Sequence, residues 1–212
     1  MPRMDATPDD AALGRHALDD LTAQFAKYRR MAEQALAQVD DAAFFAAVDR
    51  ENNSLALNVK HIAGNQRSRW TDFLTSDGEK SDRRRDDEFV VGPEDTRAAL
   101  MAAWDAGWKR LADTLTSLTP ADLQRTVTIR GEPHTVLQAL NRQYAHYAYH
   151  IGQMVLLARH HAGEAWQSLS IPRGMSDRYE VGRDGVPYLV GERGPDGAPQ
   201  PHDPRAPDGG PR

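Results

Sequence analysis

Apolar residues recur at helical spacing in four separate stretches of this 212-residue chain, and that repetition constrains the fold more than any other feature. The first stretch predicts a helix over Asp10–Val39. The second covers Asn53–Leu74 and begins at two N-capping residues, the third follows Pro93, and the fourth covers Thr135–Ala162. Four amphipathic helices of this length predict an all-α protein, a four-helix bundle that buries their apolar faces.

The connections between these helices differ in character. Thr75–Phe89 has no apolar periodicity and is dense in charges of both signs, which predicts a long surface loop. Thr126–Pro133 alternates β-branched residues and then breaks at Gly131. That pattern predicts a short hairpin or an extended connection before the last helix.

One domain and one tail are predicted. Residues 1–180 are predicted to form the helical bundle, and residues 181–212 a Gly/Pro-rich C-terminal tail. Within the tail, Gly191–Arg212 has five Gly, six Pro and no aromatic residue. Such a segment cannot bury enough apolar area to offset the entropy of ordering, so we expect it to be disordered.

Charge and missing motifs exclude several classes of function. The net charge of -5 gives no basic footprint for binding nucleic acid. The chain has no apolar leader ending at a cleavage site and no run of about 18 apolar residues, so we expect no membrane span and a cytoplasmic location. The Gly-x-Ser-x-Gly elbow of serine hydrolases and the phosphate-binding glycine loops of nucleotide sites are also missing.

The clearest chemical signal is a pair of histidines on the fourth predicted helix. His146 and His150 lie four residues apart, so both imidazoles project from one face. His61 on the second helix is a third candidate, and three neutral imidazoles can hold a divalent transition metal with coordination positions left open. The chain has no Cys, which leaves histidine and carboxylate as its transition-metal ligands. The alternative is a chance pairing among eight histidines that are solvated or hydrogen-bonded at the edge of the core.

Polar residues near these histidines are candidates to orient the rings. A metal-bound imidazole usually donates its other N–H to a carboxylate, carbonyl or amide, and the candidate partners are Asn65, Asp72 and Gln143. Gly64 is expected to let another helix approach closely. Asp72 and Glu79 are candidate general bases that sequence alone does not rank, so no residue is assigned as catalytic.

Six segments carry a more specific pattern, namely Asn53–His61, Gly64–Leu74, Asp77–Lys80, Arg83–Phe89, Ile129–Glu132 and His146–Gln153. Together they resemble the DinB-like superfamily of metal-binding four-helix bundles, which includes bacillithiol transferases and mycothiol-dependent isomerases. The similarity covers about Leu13 to Ser176. It is closest to one subgroup known mainly as proteins of unknown function.

The resemblance implies an up-down-down-up order of the helices. It implies a three-histidine site, carried onto His61, His146 and His150, for a divalent transition metal. Nickel or zinc is the first choice of ion, with manganese, cobalt and iron as further candidates. The resemblance also implies a homodimer packed through bundle helices.

Two matching stretches contain no histidine. The similarity suggests that Glu79, Lys80 and Arg85 order the charged loop near the site, although ion pairs on a solvated surface are the simpler account. Leu169–Ser176 also matches, and it is expected to cover the end of the bundle or to rim the pocket.

Three functions remain open at this point. The first is a metal-dependent transferase that activates a low-molecular-weight thiol for transfer to a small electrophilic substrate. The lack of Cys in the chain agrees with an external thiol. The second is a non-catalytic stress-response protein that binds a metal or a small molecule, and the third is hydrolysis by metal-bound hydroxide.

Overall fold

A computed structural model describes residues 8–182 and 187–189, and the chain is mostly helical, as predicted. The helices are α1 (Pro8–Leu36), the short α2 (Asp41–Phe45), α3 (Leu55–Trp70), α4 (Arg97–Ser117) and α5 (Val136–Ala162). The four long helices occupy the four predicted stretches, whereas α2 is an addition. Within the described part of the chain, no helix combines the length and the hydropathy needed to cross a membrane.

Side-chain caps fix where the helices that carry the histidines begin. At the start of α3, Ser54 Oγ accepts a hydrogen bond from the first turn at 3.2 Å. At the start of α5, Gln138 N donates to Thr135 Oγ1 at 3.1 Å and Thr135 N donates to Gln138 Oε1 at 2.8 Å, which is a capping box. Helix α3 ends at Trp70, short of its predicted end, because Asp72 has a φ of 48° that a helix cannot accommodate.

The core lies between the four long helices. Helix α3 packs against α4 and α5, and α1 packs against α5. The largest completely buried apolar side chains are Phe25, Phe44, Leu55, Ile62, Trp104, Leu111, Ile129, Leu140, Tyr147, Ile151 and Met154. Burying one such side chain stabilises the fold by roughly 1.5–3 kcal/mol. Phe44 comes from α2, so the short helix contributes directly to the core, and Leu169 of the segment Leu169–Ser176 packs against its edge.

A hairpin leads directly into α5. Strands β1 (Thr126–Ile129) and β2 (Glu132–Thr135) are antiparallel. The two residues between them, Arg130 and Gly131, have φ values of 56° and 78°, as a two-residue type I′ turn requires. The predicted connection is therefore confirmed as a hairpin.

A second hairpin lies near the predicted start of the tail. Strand β3 (Tyr179–Val181) pairs with β4 (Pro187–Leu189) in antiparallel register. The predicted boundary after residue 180 falls inside β3, so this part of residues 181–212 is paired backbone. The expected disorder of Gly191–Arg212 concerns residues that lie outside the described ones.

Gly107 of α4 lies directly against Gln66 of α3, so a larger residue at this position tests how tightly the two helices pack. A Cβ at Gly107 would lie 2.3 Å from Gln66 Oε1 and 3.0 Å from Gln66 Cβ, and Gln66 is completely buried. We therefore expect Gly107→Ala to lower the free energy of unfolding by about 1–3 kcal/mol, measured by urea denaturation. The control is Gly152→Ala on the exposed face of α5, where a Cβ meets open space and should stabilise by up to about 1 kcal/mol. Equal effects of the two substitutions would contradict the close packing.

Candidate metal centre

Three histidines from two helices converge inside the protein. Helix α3 carries His61 and α5 carries His146 and His150, and their candidate ligand atoms all lie within 4.8 Å of one another. The Nε2 atoms of His61 and His146 are 3.2 Å apart. Metal–nitrogen bonds of about 2.0–2.1 Å place two nitrogens of a tetrahedral site about 3.3 Å apart. The predicted histidines therefore form a group that could hold a metal ion.

The other histidines in the described part of the chain, His16, His134, His160 and His161, do not join this group. His202 lies outside the described residues. The cluster is thus the His61, His146 and His150 set that helical spacing and family resemblance singled out.

The outer nitrogens of two of the rings have hydrogen-bond acceptors. His61 Nδ1 lies 2.8 Å from Glu88 Oε2. His150 Nδ1 lies 3.1 Å from Asn58 Oδ1 and 3.2 Å from Gln153 Oε1. Because these acceptors favour a proton on Nδ1, Nε2 is the nitrogen with which the neutral form of either ring could bind a metal.

His146 is held differently, through a buried polar network. Trp70 Nε1 donates to Tyr147 Oη at 3.0 Å, and Tyr147 Oη donates to Asn65 Oδ1 at 3.1 Å. Gln143 Nε2 also donates to Asn65 Oδ1 and lies 3.2 Å from His146 Nδ1. A metal on His146 Nε2 requires the proton on Nδ1, so Gln143 must then turn its Oε1 towards the ring.

Glu88 is the functional residue that sequence reasoning missed. Arg83 donates to it twice, from Nε to Oε1 and from Nη2 to Oε2, both at 2.8 Å. The Arg83 side chain is only 2% exposed and that of Glu88 8%. Burial acts to raise the pKa of Glu88, but hydrogen bonds from His61 and Arg83 outweigh it and hold the pKa below its ordinary value. Glu88 is therefore an ionised carboxylate that orients the His61 ring.

The expectation of a solvated surface loop over Thr75–Phe89 is wrong for its buried members. Gly78 is buried, and Asp77 accepts hydrogen bonds from the backbone of Arg130 at 2.9 Å and of Gly131 at 2.8 Å. Charged residues can enter the interior here because they are paired with one another. The loop is thus attached to the tip of the β1–β2 hairpin at one end and to His61 at the other.

The three residues expected to order this loop all make contacts. Glu79 accepts from Arg83 at 3.1 Å, and the Lys80 ammonium donates to the carbonyl of Asp77. The guanidinium of Arg85 lies 5.3 Å from the centre of the Phe89 ring, which is itself 4.8 Å from the His61 ring. Phe89 therefore packs beside the candidate centre, with Arg85 on its ring.

Of the residues predicted to orient the histidine rings, some lie near a ring and one does not. Gln143 contacts a histidine ring, and Asn65 reaches that ring through Gln143. Asp72 is exposed in the turn after α3 and is not among the hydrogen-bond partners of the three rings. Gly64 makes room for the side chain of Glu88 on the short 3-10 helix Arg85–Phe89, since a Cβ there would lie 2.3 Å from Glu88 Oε1. A glycine three residues after His61 was the available signal for Glu88.

Burial and mutual repulsion keep two of the imidazoles neutral. Burial lowers the pKa of His146 to about 3, helped by His150 and His61. Burial, and then His61, lowers the pKa of His150 to about 4. Both rings are therefore unprotonated near neutral pH, which is the form that binds metals.

Comparison with protein families matches residues 12–175 to the family described as "Protein of unknown function (DUF1572)". The matched region includes all three histidines, Glu88 and Arg83. A search of curated proteins gave no match.

The lowered pKa values of His146 and His150 predict acid sensitivity of the metal-free protein. Because both folded values lie below the unfolded value of about 6.5, the unfolded state binds more protons as the pH falls below that value. The contribution of the two histidines to the free energy of unfolding is thus fully present above pH about 6.5. It is lost as the pH falls towards their pKa values in the folded state. Between pH 7 and 5 we expect a loss of about 1–2 kcal/mol, after discounting for the partial exposure of His146. Urea midpoints across this range should show a shallower pH slope in a His146→Ala/His150→Ala protein, and an unchanged slope would contradict the assignment.

The Glu88–Arg83 pair predicts a large effect of a small substitution. Glu88→Gln leaves the buried Arg83 without its full charge partner, so we expect unfolding free energy to fall by about 3 kcal/mol, measured by urea denaturation. The control is Asp87→Asn, where the carboxylate is 58% exposed and pairs with the exposed Arg84, and we expect a change within about 0.5 kcal/mol. Similar losses from both substitutions would mean that the buried pair is not special.

Proposed function

We propose that the chain, which belongs to the DUF1572 family of proteins of unknown function, binds a divalent transition metal through His61, His146 and His150. We further propose that it uses the metal to transfer a low-molecular-weight thiol to a small electrophilic substrate. The observation that carries the proposal is the convergence of three imidazoles within 4.8 Å of one another.

The surroundings of the histidines support a metal better than a structural role for the rings. Glu88 and Asn58 both lie at outer ring nitrogens, an arrangement common around metal-bound histidine. Burial keeps the rings of His146 and His150 neutral, which is the form of imidazole that binds a metal. Imidazole nitrogen suits nickel and zinc, with cobalt, manganese and iron as further candidates.

Three protein ligands, and not four, favour a reactive centre. A divalent metal with open positions supplies Lewis acidity, which lowers the pKa of a coordinated thiol or water. The chain has no Cys, so a sulfur nucleophile must come from a small molecule. Phe89, packed beside His61, limits access of water from that side.

The resemblance to the DinB-like superfamily supports the same proposal. It favours thiol transfer because the superfamily includes bacillithiol transferases. The up-down-down-up helix order and the homodimer are expected from the same resemblance, and the cytoplasmic location is expected from the apolar patterning of the sequence. They remain predictions for this chain.

The decisive variant is His146→Ala, with His160→Ala as its control because His160 is exposed on the same helix. Untagged protein is first loaded with nickel, zinc, cobalt or manganese, and its melting is compared with that of the metal-free form. A metal at about one hundred times its Kd stabilises the native state by about 2.7 kcal/mol, which a melting curve resolves easily. We expect this shift in the wild type and in the control and its loss in His146→Ala.

Turnover is then measured with a panel of thiols and a chromogenic aryl halide. We expect thiol consumption that depends on metal and is lost in His146→Ala while His160→Ala retains it. Full activity in His146→Ala would remove the mechanism. A metal-dependent melting shift without turnover would favour the non-catalytic binding protein, and ester hydrolysis without thiol would favour metal-bound hydroxide.

A further inference from the structure

Arg69 is a buried cation for which residues 8–182 and 187–189 supply no ion pair. The residue is only 3% exposed, and its Nε and Nη1 atoms are buried with no hydrogen-bond partner among those residues. No ion pair of Arg69 occurs among the described residues, in contrast to Arg83 on the loop beside it. Glu79, whose charge acts on Arg69, is already bound by Arg83 and Arg130.

An unpaired guanidinium in the interior is costly. Burying an ion without a partner costs several kcal/mol, and arginine does not escape by losing its proton. Burial is the main cause that lowers the pKa of Arg69, yet the group remains charged near neutral pH. A buried charge of this kind is an exception that calls for an explanation, and an anion bound from outside the described residues is one.

Arg69 lies on the same helix as His61, about two turns further along α3. It follows Asn65 by one turn of α3, and Asn65 belongs to the polar network that ends at His146. The positive charge of Arg69 also contributes to the lowered pKa of His146. Gly78 makes room for the guanidinium, because a Cβ there would lie 2.3 Å from Arg69 Nη1.

An arginine Nε is one of the two donors with which a guanidinium binds an oxyanion. In the Arg83–Glu88 pair, Nε and Nη2 each donate to one carboxylate oxygen at 2.8 Å. The corresponding edge of Arg69 includes an Nε without a partner. A planar carboxylate or a phosphate group matches such an edge, whereas a neutral ligand would leave the charge uncompensated.

We propose that Arg69 binds an oxyanion, the carboxylate or phosphate group of a small molecule, beside the three histidines. The site goes beyond the proposed metal chemistry, because Arg69 needs a counter-ion whether or not a metal is present. If a substrate is bound at the metal, this site selects one that carries an anionic group within reach of Arg69.

The test uses the full-length, metal-free protein and two simple probes, inorganic phosphate and acetate. Melting temperatures are measured against each anion, with chloride added to keep the ionic strength constant. Arg69→Met is compared with Arg67→Met, a control two residues away whose side chain is 48% exposed and paired with Asp82. We expect a saturable rise in melting temperature with at least one probe in the wild type and in Arg67→Met, and at least tenfold weaker binding in Arg69→Met.

The two probes separate a phosphate group from a carboxylate as the preferred ligand. Without added anion, Arg69→Met should melt at or above the wild type, because the substitution removes an unpaired buried charge. An equal anion response in Arg69→Met, or no saturable response of the wild type to either probe, would overturn the proposal. Should Arg69→Met fail to fold, Arg69→Lys decides: it keeps the charge but not the two-point edge, and unchanged anion affinity would likewise overturn it. Because metal is excluded throughout, these outcomes do not depend on the fate of the metal proposal.

Discussion

The buried contact between His61 and Glu88 is the interaction on which the rest of the site depends. The 2.8 Å contact between His61 Nδ1 and Glu88 Oε2 joins a core helix to a segment that would otherwise be a charged loop. Arg83 makes this possible, because a buried carboxylate is tolerated only when its charge is matched and its oxygens are hydrogen-bonded. The orientation of one candidate ligand therefore rests on a chain of three charged or polar groups rather than on packing alone.

The other side of the centre is coupled to the apolar core. Tyr147 is completely buried, and its ring lies 5.9 Å from that of Phe25 and 5.6 Å from that of Trp108. Its hydroxyl is in the same hydrogen-bond network as Gln143 and His146. Since a buried network is favourable only when its members are satisfied together, the rotamers of the core and the direction of the His146 ring are set jointly.

Sequence was sufficient for features that depend on local spacing. The four long helices, the break at Gly131 before the last of them and the histidine pair on α5 follow from periods and turn residues within a few positions of one another. Glu88 escaped because it lies 27 residues from His61, in a stretch where apolar patterning is silent. Its burial depends on charge pairing, which hydropathy does not encode. The burial of Arg69 was not predicted for the same reason. From sequence alone, a cation near the end of α3 is expected to be solvated.

The segment from Asp77 to Glu88 is fastened at both ends, to the hairpin tip through Asp77 and to α3 through Glu88. A chain held at two fixed points has a set contour, so its number of residues matters more than the identity of its exposed members. Inserting or deleting a single residue between these anchors would shift the carboxylate by about 3.3–3.6 Å along the chain, more than a hydrogen bond can span. Homologous chains that share the three-histidine centre are thus expected to differ in the exposed residues of this segment while keeping its length.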